Sequence, residues 1–500
     1  LRDPILDLSF RDQVKSLGNA RVQADFFRQI EDVFLEPTGN GVSGRIATFF
    51  DSLNEFASNV ESGPIRQSVV NEALALSETF NETFRQLDNI RTRANQEVIG
   101  QVPVINELGR QIAELNKRIV RAEIDGNPAN DLRDQRDRVL DELAGLVNIF
   151  TRERQNGQVD VLISGDEFVS ADRLFELETV INPALDPNRN DLVEVRFVHN
   201  GQLVNIQDGE LFGALHQRDV EVPEIIAQIN TLAGTFIEEF NRIHSQANGL
   251  TNLSGTVTST NAAVDGVTAL GSAGLPFPIT AGSFDVNVYD VGGNITATTT
   301  IAVTPGVTTL NDIAAALSGF SPDLSATVNA NGTLSVTSTA GNSFGFANDT
   351  SGLLGSLGMN TLFTGSDART MGVNQLIIND PTLLAGAFST DPLDTGDNTA
   401  ALALADLQNR LLLHGGTTTL TEFYEGIIVE IGIDARRNDD NLEVEMQLVD
   451  TFNRRRQEIS GVSIDEEVTF MLQFERAYEA AARVVTTADR MLEALLTMAL

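Results

Sequence analysis

The chain has 500 residues, 34 of them basic and 70 acidic, for a net charge of −36. That balance argues against nucleic acid or an anionic membrane as partner, because phosphate would repel most of such a surface. Cysteine is absent, which excludes a disulfide scaffold, a thiol nucleophile and a cysteine-ligated metal.

The length calls for about three or four compact units rather than one core. From about Phe10 to Val147 the apolar spacing is helical. Leu74, Leu76, Phe80, Phe84 and Leu87 mark one stripe over 73–90. Ile105, Leu108, Ile112, Leu115 and Ile119 mark another over 104–120. Asp125-Gly126-Asn127-Pro128 is a turn, and a further helix follows with Leu132, Val139, Leu143 and Leu146 inward. Its alternating Asp131–Arg138 run reads as a solvated face with local ion pairs.

From 148 to 222 the period shortens to two. Val159, Val161 and Ile163 alternate with polar residues, as do Val193, Val195 and Phe197, and Asn200-Gly201 marks a hairpin. A helix returns from Glu224 to about Gln246, within a rod segment at 223–250. Residues 251–397, richer in Gly, Thr, Ser and Asn, are β again. Phe284, Val286 and Val288 face one way there, Asn331-Gly332 makes a second hairpin, and Leu310–Leu317 forms a short helix. From Ala400 the pattern is helical to the end, with one break at Gly461. The predicted fold is α+β and multi-domain. An elongated helical bundle is built from the N-terminal segment (1–147) and the C-terminal segment (398–500), with β domains inserted between them.

The last helix has the strongest pattern. Ile464, Met471, Tyr478, Val485, Leu492 and Ala499 recur every seven residues, with Glu467, Phe474, Ala481, Ala488 and Leu495 three further on, apolar in all but the first. That period is the seam of a coiled coil. Ser463 and Glu466 form a capping box at its start, and Arg476, Arg483 and Arg490 line an outward row. The seam therefore needs a partner.

Signals for chemistry are few. Gly341-Asn342-Ser343-Phe344-Gly345 matches the nucleophile elbow of a serine hydrolase, which needs a strand before the serine and a helix after it. Here the motif lies in a Gly- and Thr-rich β region, and His414 is the only later histidine, so chance accounts for it better. His199, His216, His244 and His414 have no ligand spacing. Asp465, Glu466 and Glu467 sit where acidic residues favour the helix dipole. No catalytic, cofactor or metal site is expected. No apolar run reaches the ~18 residues of a membrane span, and no signal-peptide pattern opens the chain.

Ser460-Gly461-Val462-Ser463-Ile464-Asp465-Glu466-Glu467, then Phe474-Glu475-Arg476-Ala477-Tyr478 and the Leu-rich finish, closely resembles the C-terminus of the hook-associated protein 1 family of bacterial flagella. Residues 105–147, 209–250 and 284–338 are similar to other segments of that family, in the same order. The Ser-Gly-Val-Ser phrase and the paired β inserts disfavour a flagellin or a hook-associated protein 3. The resemblance implies a non-enzymatic structural role, as a ring of subunits joining hook to filament after export. The implied partners are the hook protein, hook-associated protein 3, copies of itself, the flagellar type III export apparatus and a cytoplasmic export chaperone on the C-terminal helix. The implied location is extracellular, in the flagellum, reached without a cleavable signal peptide. Ile464, Met471, Phe474, Tyr478, Val485, Leu492 and Leu495 are the implied partner- and chaperone-binding residues. The family opens with a helix that pairs with the C-terminal one. This chain starts close to the family's Arg2-Asp3-Pro4 segment, so that partner is expected to be missing.

Overall fold

The computed structural model describes residues 4–34, 41–391, 394–460 and 464–498. Four helices open it: α1 (Pro4–Phe34), α2 (Val42–Ser58), α3 (Gly63–Ala122) and α4 (Asn130–Leu146). The stripes predicted at 73–90 and 104–120 belong to one helix, α3, of 60 residues, roughly 90 Å long at 1.5 Å per residue. Pro103 lies inside it. The proline is exposed while Val102 and Ile105 beside it are buried. The buried stripe thus continues past the proline, and packing outweighs the ~3 kcal/mol that proline costs a helix interior.

The Asp131–Arg138 run is not a solvated face throughout. Arg136 and Asp137 are buried, because α4 packs against both α1 and α3. Arg136 donates to Asn116 Oδ1 (3.2 Å) and to the Gly157 carbonyl (2.6 Å), and Arg11 donates to Asp137 (3.3 Å). At the crossing of α1 and α4, a Cβ on Gly18 would lie 2.2 Å from the Gly145 carbonyl oxygen, so only glycine allows the approach.

A four-stranded antiparallel sheet follows, ordered β1 (Ile149–Glu153), β2 (Val159–Ile163), β3 (Asp166–Ser170) and β4 (Arg173–Leu174). The hairpin β5 (Leu177–Ile181) and β6 (Val193–Phe197) comes next. The inward residues Val159, Val161, Ile163, Val193, Val195 and Phe197 are all buried, and β6 alternates as predicted, but in β2 Asp160 is buried as well, paired with Arg152 (2.9 Å) and Arg154 (2.8 Å). Beyond the Asn200-Gly201 turn the expected strand is only a bridge between Arg196 and Leu203. Helix resumes at Glu210, ahead of the predicted return. α5 (Glu210–His216) passes through a π-helical turn at Gln217–Glu221 into α6 (Val222–His244). In that turn the buried Arg218 reaches the Val193 carbonyl (2.6 Å) and Asn95 (2.9 Å) while Asp219 holds it with two bonds.

These strands are held to α3 by asparagines. Asn106 donates to the Leu177 carbonyl (2.8 Å) and accepts from the Leu177 N–H (2.8 Å). Asn116 treats Val159 the same way (2.8 and 3.0 Å) and also reaches the Ala171 carbonyl (2.6 Å). Asn95 donates to the Asp191 carbonyl (3.0 Å) and accepts from the Val193 N–H (3.1 Å). Each amide thereby does for a strand what a neighbouring strand would do. The β segment at 148–222 shares the main core with the helices rather than forming its own.

The second β unit does have its own core, from Leu253 to Met359. It contains β7 (Leu253–Ser254), β8 (Thr256–Thr258), β9 (Gly282–Tyr289), β10 (Ile295–Val303), α7 (Leu310–Phe320), β11 (Leu324–Val328), β12 (Leu334–Ser338), β13 (Ser343–Ala347) and α8 (Leu353–Leu357). Its sheets run β10-β9-β13-β7 and β11-β12-β8. The predicted short helix and Asn331-Gly332 turn are present, with Gly332 at φ +83°. The predicted limit at Asp397 is late. From Leu362 the chain rejoins the main core through β14 (Phe363–Thr364), β15 (Gly372–Val373), α9 (Gln375–Asn379) and α10 (Thr399–Asp406). There the Phe363 ring meets those of Phe49, Phe236 and Phe240 edge to face, with centroids within 5.6 Å.

The helical run expected from Ala400 is interrupted at 410–419, where His414, Gly415 and Gly416 all take positive φ. Then come α11 (Leu420–Ser460) and α12 (Ile464–Met498). α11 lies along α1, so the two ends of the chain form one rod around the inserted β units, as predicted. Arg456 fastens its far end. It bonds Asp7 (2.9 Å) and Asp141 (2.7 Å) and lies 4.6 Å over the Phe10 ring. The fold is α+β and elongated.

Two predictions follow from this packing. Asn116→Leu strands the buried Val159 amide and one bond of Arg136, at a cost of about 1–3 kcal/mol per unsatisfied group. Hydrogen exchange at Val159 should accelerate while exchange at Val286, in the separate core, stays as it was. The second concerns His244, which is fully buried at the end of α6. Its Nε2 accepts from the Ala385 N–H (3.0 Å), so Nδ1 carries the proton and donates to the Asn360 carbonyl (2.8 Å). Burial holds the imidazole down at about 4. The unfolded chain therefore binds the proton first as pH falls through 6.5, and folding stability drops between there and 4. Urea midpoints should show a loss of about 2 kcal/mol between pH 7 and 5 that the His244→Gln chain lacks.

Candidate assembly interface

α12 is the one long element whose described side chains are all exposed. From Val468 to Met498 every one is exposed, Leu496 lying outside the described side chains. Of the predicted contact residues, Met471, Phe474, Tyr478, Val485, Leu492 and Leu495 stand open to solvent, with Phe474 and Tyr478 at 75 % and 78 %. The Ile464 side chain and the Ser463 capping box lie outside the described residues. The structure brings the six onto one face of a helix of 35 residues, roughly 50 Å long. The first described helix, α1, is occupied by α11 and leaves this face uncovered.

Sequence reading missed a third row. Phe470, Ala477, Val484, Met491 and Met498 also recur every seven residues and also stand exposed. It follows the same rule as the first two rows and was legible by the same count. With it the apolar face occupies three of seven positions, wider than the seam of a two-stranded coiled coil. Arg476, Arg483 and Arg490 occupy another row, and all three are exposed. Each large apolar residue on the face is worth about 1.5–3 kcal/mol on full burial, and isolated helices are marginal in water. The arrangement can do one thing chemically: bury itself against further helices.

The other motifs gather no site. Ser343 opens β13, between β9 and β7, and strand rather than helix follows it. His414 sits in the loop before α11 with its ring edge-on to Phe423 at 4.9 Å. Among the described residues no group of His, Asp or Glu is arranged to hold a metal ion, and no helix is long and apolar enough to cross a membrane. One groove of about 600 Å³ has in its lining Arg189 paired with Asp88 (2.6 Å) and Arg91 paired with Asp186 (2.5 Å).

Residues 27–258 match the family model for the flagellar hook-associated protein FlgK helical domain, and residues 454–498 match that for the flagellar basal body rod FlgEFG protein C-terminal. The second takes in the last turns of α11 and all of α12. Flagellar hook-associated protein 1 of Bacillus subtilis is 27 % identical over 99 % of this chain and 83 % of its own length. The protein of the same name from Escherichia coli is 26 % identical over 93 % and 82 %. In fold, the chain is similar to the solved flagellar hook junction protein FlgK from Burkholderia pseudomallei, with a TM-score of 0.58 at 17 % identity, over 91 % of this chain and 100 % of that one. Over nearly all of its length, then, the chain is similar to flagellar hook-associated protein 1.

Proposed function

We propose that the chain is a structural component of the bacterial flagellum at the junction of hook and filament, working outside the cell as one of a ring of identical subunits. The observation that carries this reading is α12, a fully exposed helix with three apolar rows in a family of axial flagellar proteins. Its neighbours in the junction are the hook protein, hook-associated protein 3 and copies of itself. Before export through the flagellar type III apparatus, a cytoplasmic chaperone covers the same face. Met471, Phe474, Tyr478, Val485, Leu492 and Leu495, together with Ile464, serve these contacts in turn.

The chain carries out no catalysis on this reading. Esterase rates of the parent and of Ser343→Ala should be equally near zero, and a rate lost on substitution would revive the hydrolase.

Tyr478→Asp and Val485→Asp test the assembly role. Both positions are exposed in the free chain, so each change should move its stability by no more than about 0.5 kcal/mol. In the assembled seam a desolvated carboxylate costs several kcal/mol unless it is paired. Cells carrying either variant should therefore lose chaperone capture, junction assembly and motility while the purified chain melts as the parent does. Normal motility in both would remove the proposed role.

A further inference from the structure

The sheet β10-β9-β13-β7 ends at β10. That strand pairs with β9 in unbroken register from Ala297↔Val288 to Val303↔Gly282, after a bulge at its start. On its other side it meets no strand among the described residues. Native sheets blunt long edges with lysine, proline or bulges. From Ala297 to Val303 this edge has none of these, and its Thr, Ile, Ala and Val are residues that pair readily with another strand. No residue from Val291 to Asn311 carries a charge, in a chain of net charge −36.

The two ends of the edge are apolar and exposed. Val291 precedes β10 at 89 % exposure, and Val307 follows it at 72 %. Val264 and Val267, equally open, stand on the neighbouring loop, which is tied to the Val307 turn through Gly271 N–H to the Pro305 carbonyl (2.8 Å) and Leu270 N–H to the Thr308 carbonyl (2.9 Å). Two copies of so acidic a chain repel over most of their surface, so an uncharged strip favours their approach. A strand edge is also complementary to an antiparallel copy of itself, since each supplies the groups that the other leaves unpaired. In that arrangement Val307 of one copy comes to the Val291 end of the other, apolar against apolar.

We infer that β10 is a self-association edge, through which two copies of the chain pair antiparallel and join two four-stranded sheets into one. The inference does not rest on the junction role or on α12. Its test uses the full chain carrying Tyr478→Asp and Val485→Asp, so that contacts through the helix are removed. Sedimentation over a wide range of concentration should show a monomer–dimer equilibrium. Adding Thr298→Lys and Thr300→Lys places like charges across the paired edges and should raise the dissociation constant about tenfold or more, with an unchanged circular dichroism spectrum. Thr298→Ser with Thr300→Ser should leave it as it was. A chain that stays monomeric at every concentration, or a dimer indifferent to the lysines, would overturn the inference, and neither result bears on assembly through α12.

Discussion

A strand laid against a helix keeps an edge whose N–H and C=O groups must find partners once water is excluded, and this requirement organises the body of the molecule. α3 meets it with the amides of Asn95, Asn106 and Asn116, which bond the backbones of β6, β5 and β2 and their connecting loops. α6 does likewise, where Asn241 donates to the Phe363 carbonyl (2.9 Å) and accepts from the Phe363 N–H (3.1 Å). These bonds set the position of each strand along the spine as well as its distance. Apolar contact alone tolerates sliding, whereas an amide that bonds both groups of one residue does not. Close approach is needed as well. A Cβ on Gly109 would lie 2.6 Å from the Phe168 ring, so β3 can sit on the spine only where a side chain is missing.

The parts of this architecture that repeat were legible in the sequence. The two-residue alternation of β6, the Asn331-Gly332 turn and the apolar stripes of α3 each follow one simple rule, and the structure follows them. The docking asparagines repeat nothing. A polar residue on a long helix reads as surface, and only a strand brought from some forty to a hundred residues away makes Asn116 or Asn95 internal. Arg136 and Asp137 went the same way, since their alternation with neighbours of opposite charge describes a solvated face until α1 and α3 close over both flanks of α4. Pro103, between the two stripes of α3, does not end the helix. Its exposure lets the helix absorb it, and exposure is a tertiary property. On α12 the exposed apolar rows were all accessible to counting, because a helix whose described side chains are uncovered has nothing among the described residues to override its period.

The rod has a polar lock close to where self-sufficiency ends. Arg456 gathers Asp7 from α1 and Asp141 from α4, and Arg11 reaches Asp137 and Asp141 from the other side. Breaking such a partly buried group by deleting one member leaves its partners desolvated and unpaired, so it resists loosening more strongly than its net contribution to stability would indicate. A few residues further on, α12 has no described side chain under cover. Between Arg456 and Val468 the chain thus passes from a segment tied to α1 and α4 to one whose described side chains are all exposed. An uncovered helix of roughly 50 Å multiplies at its tip any error in the direction in which it sets out, so a firm origin matters more for it than for a packed one. Placing the lock in the last turns of α11 meets that need while leaving the apolar face of α12 wholly available.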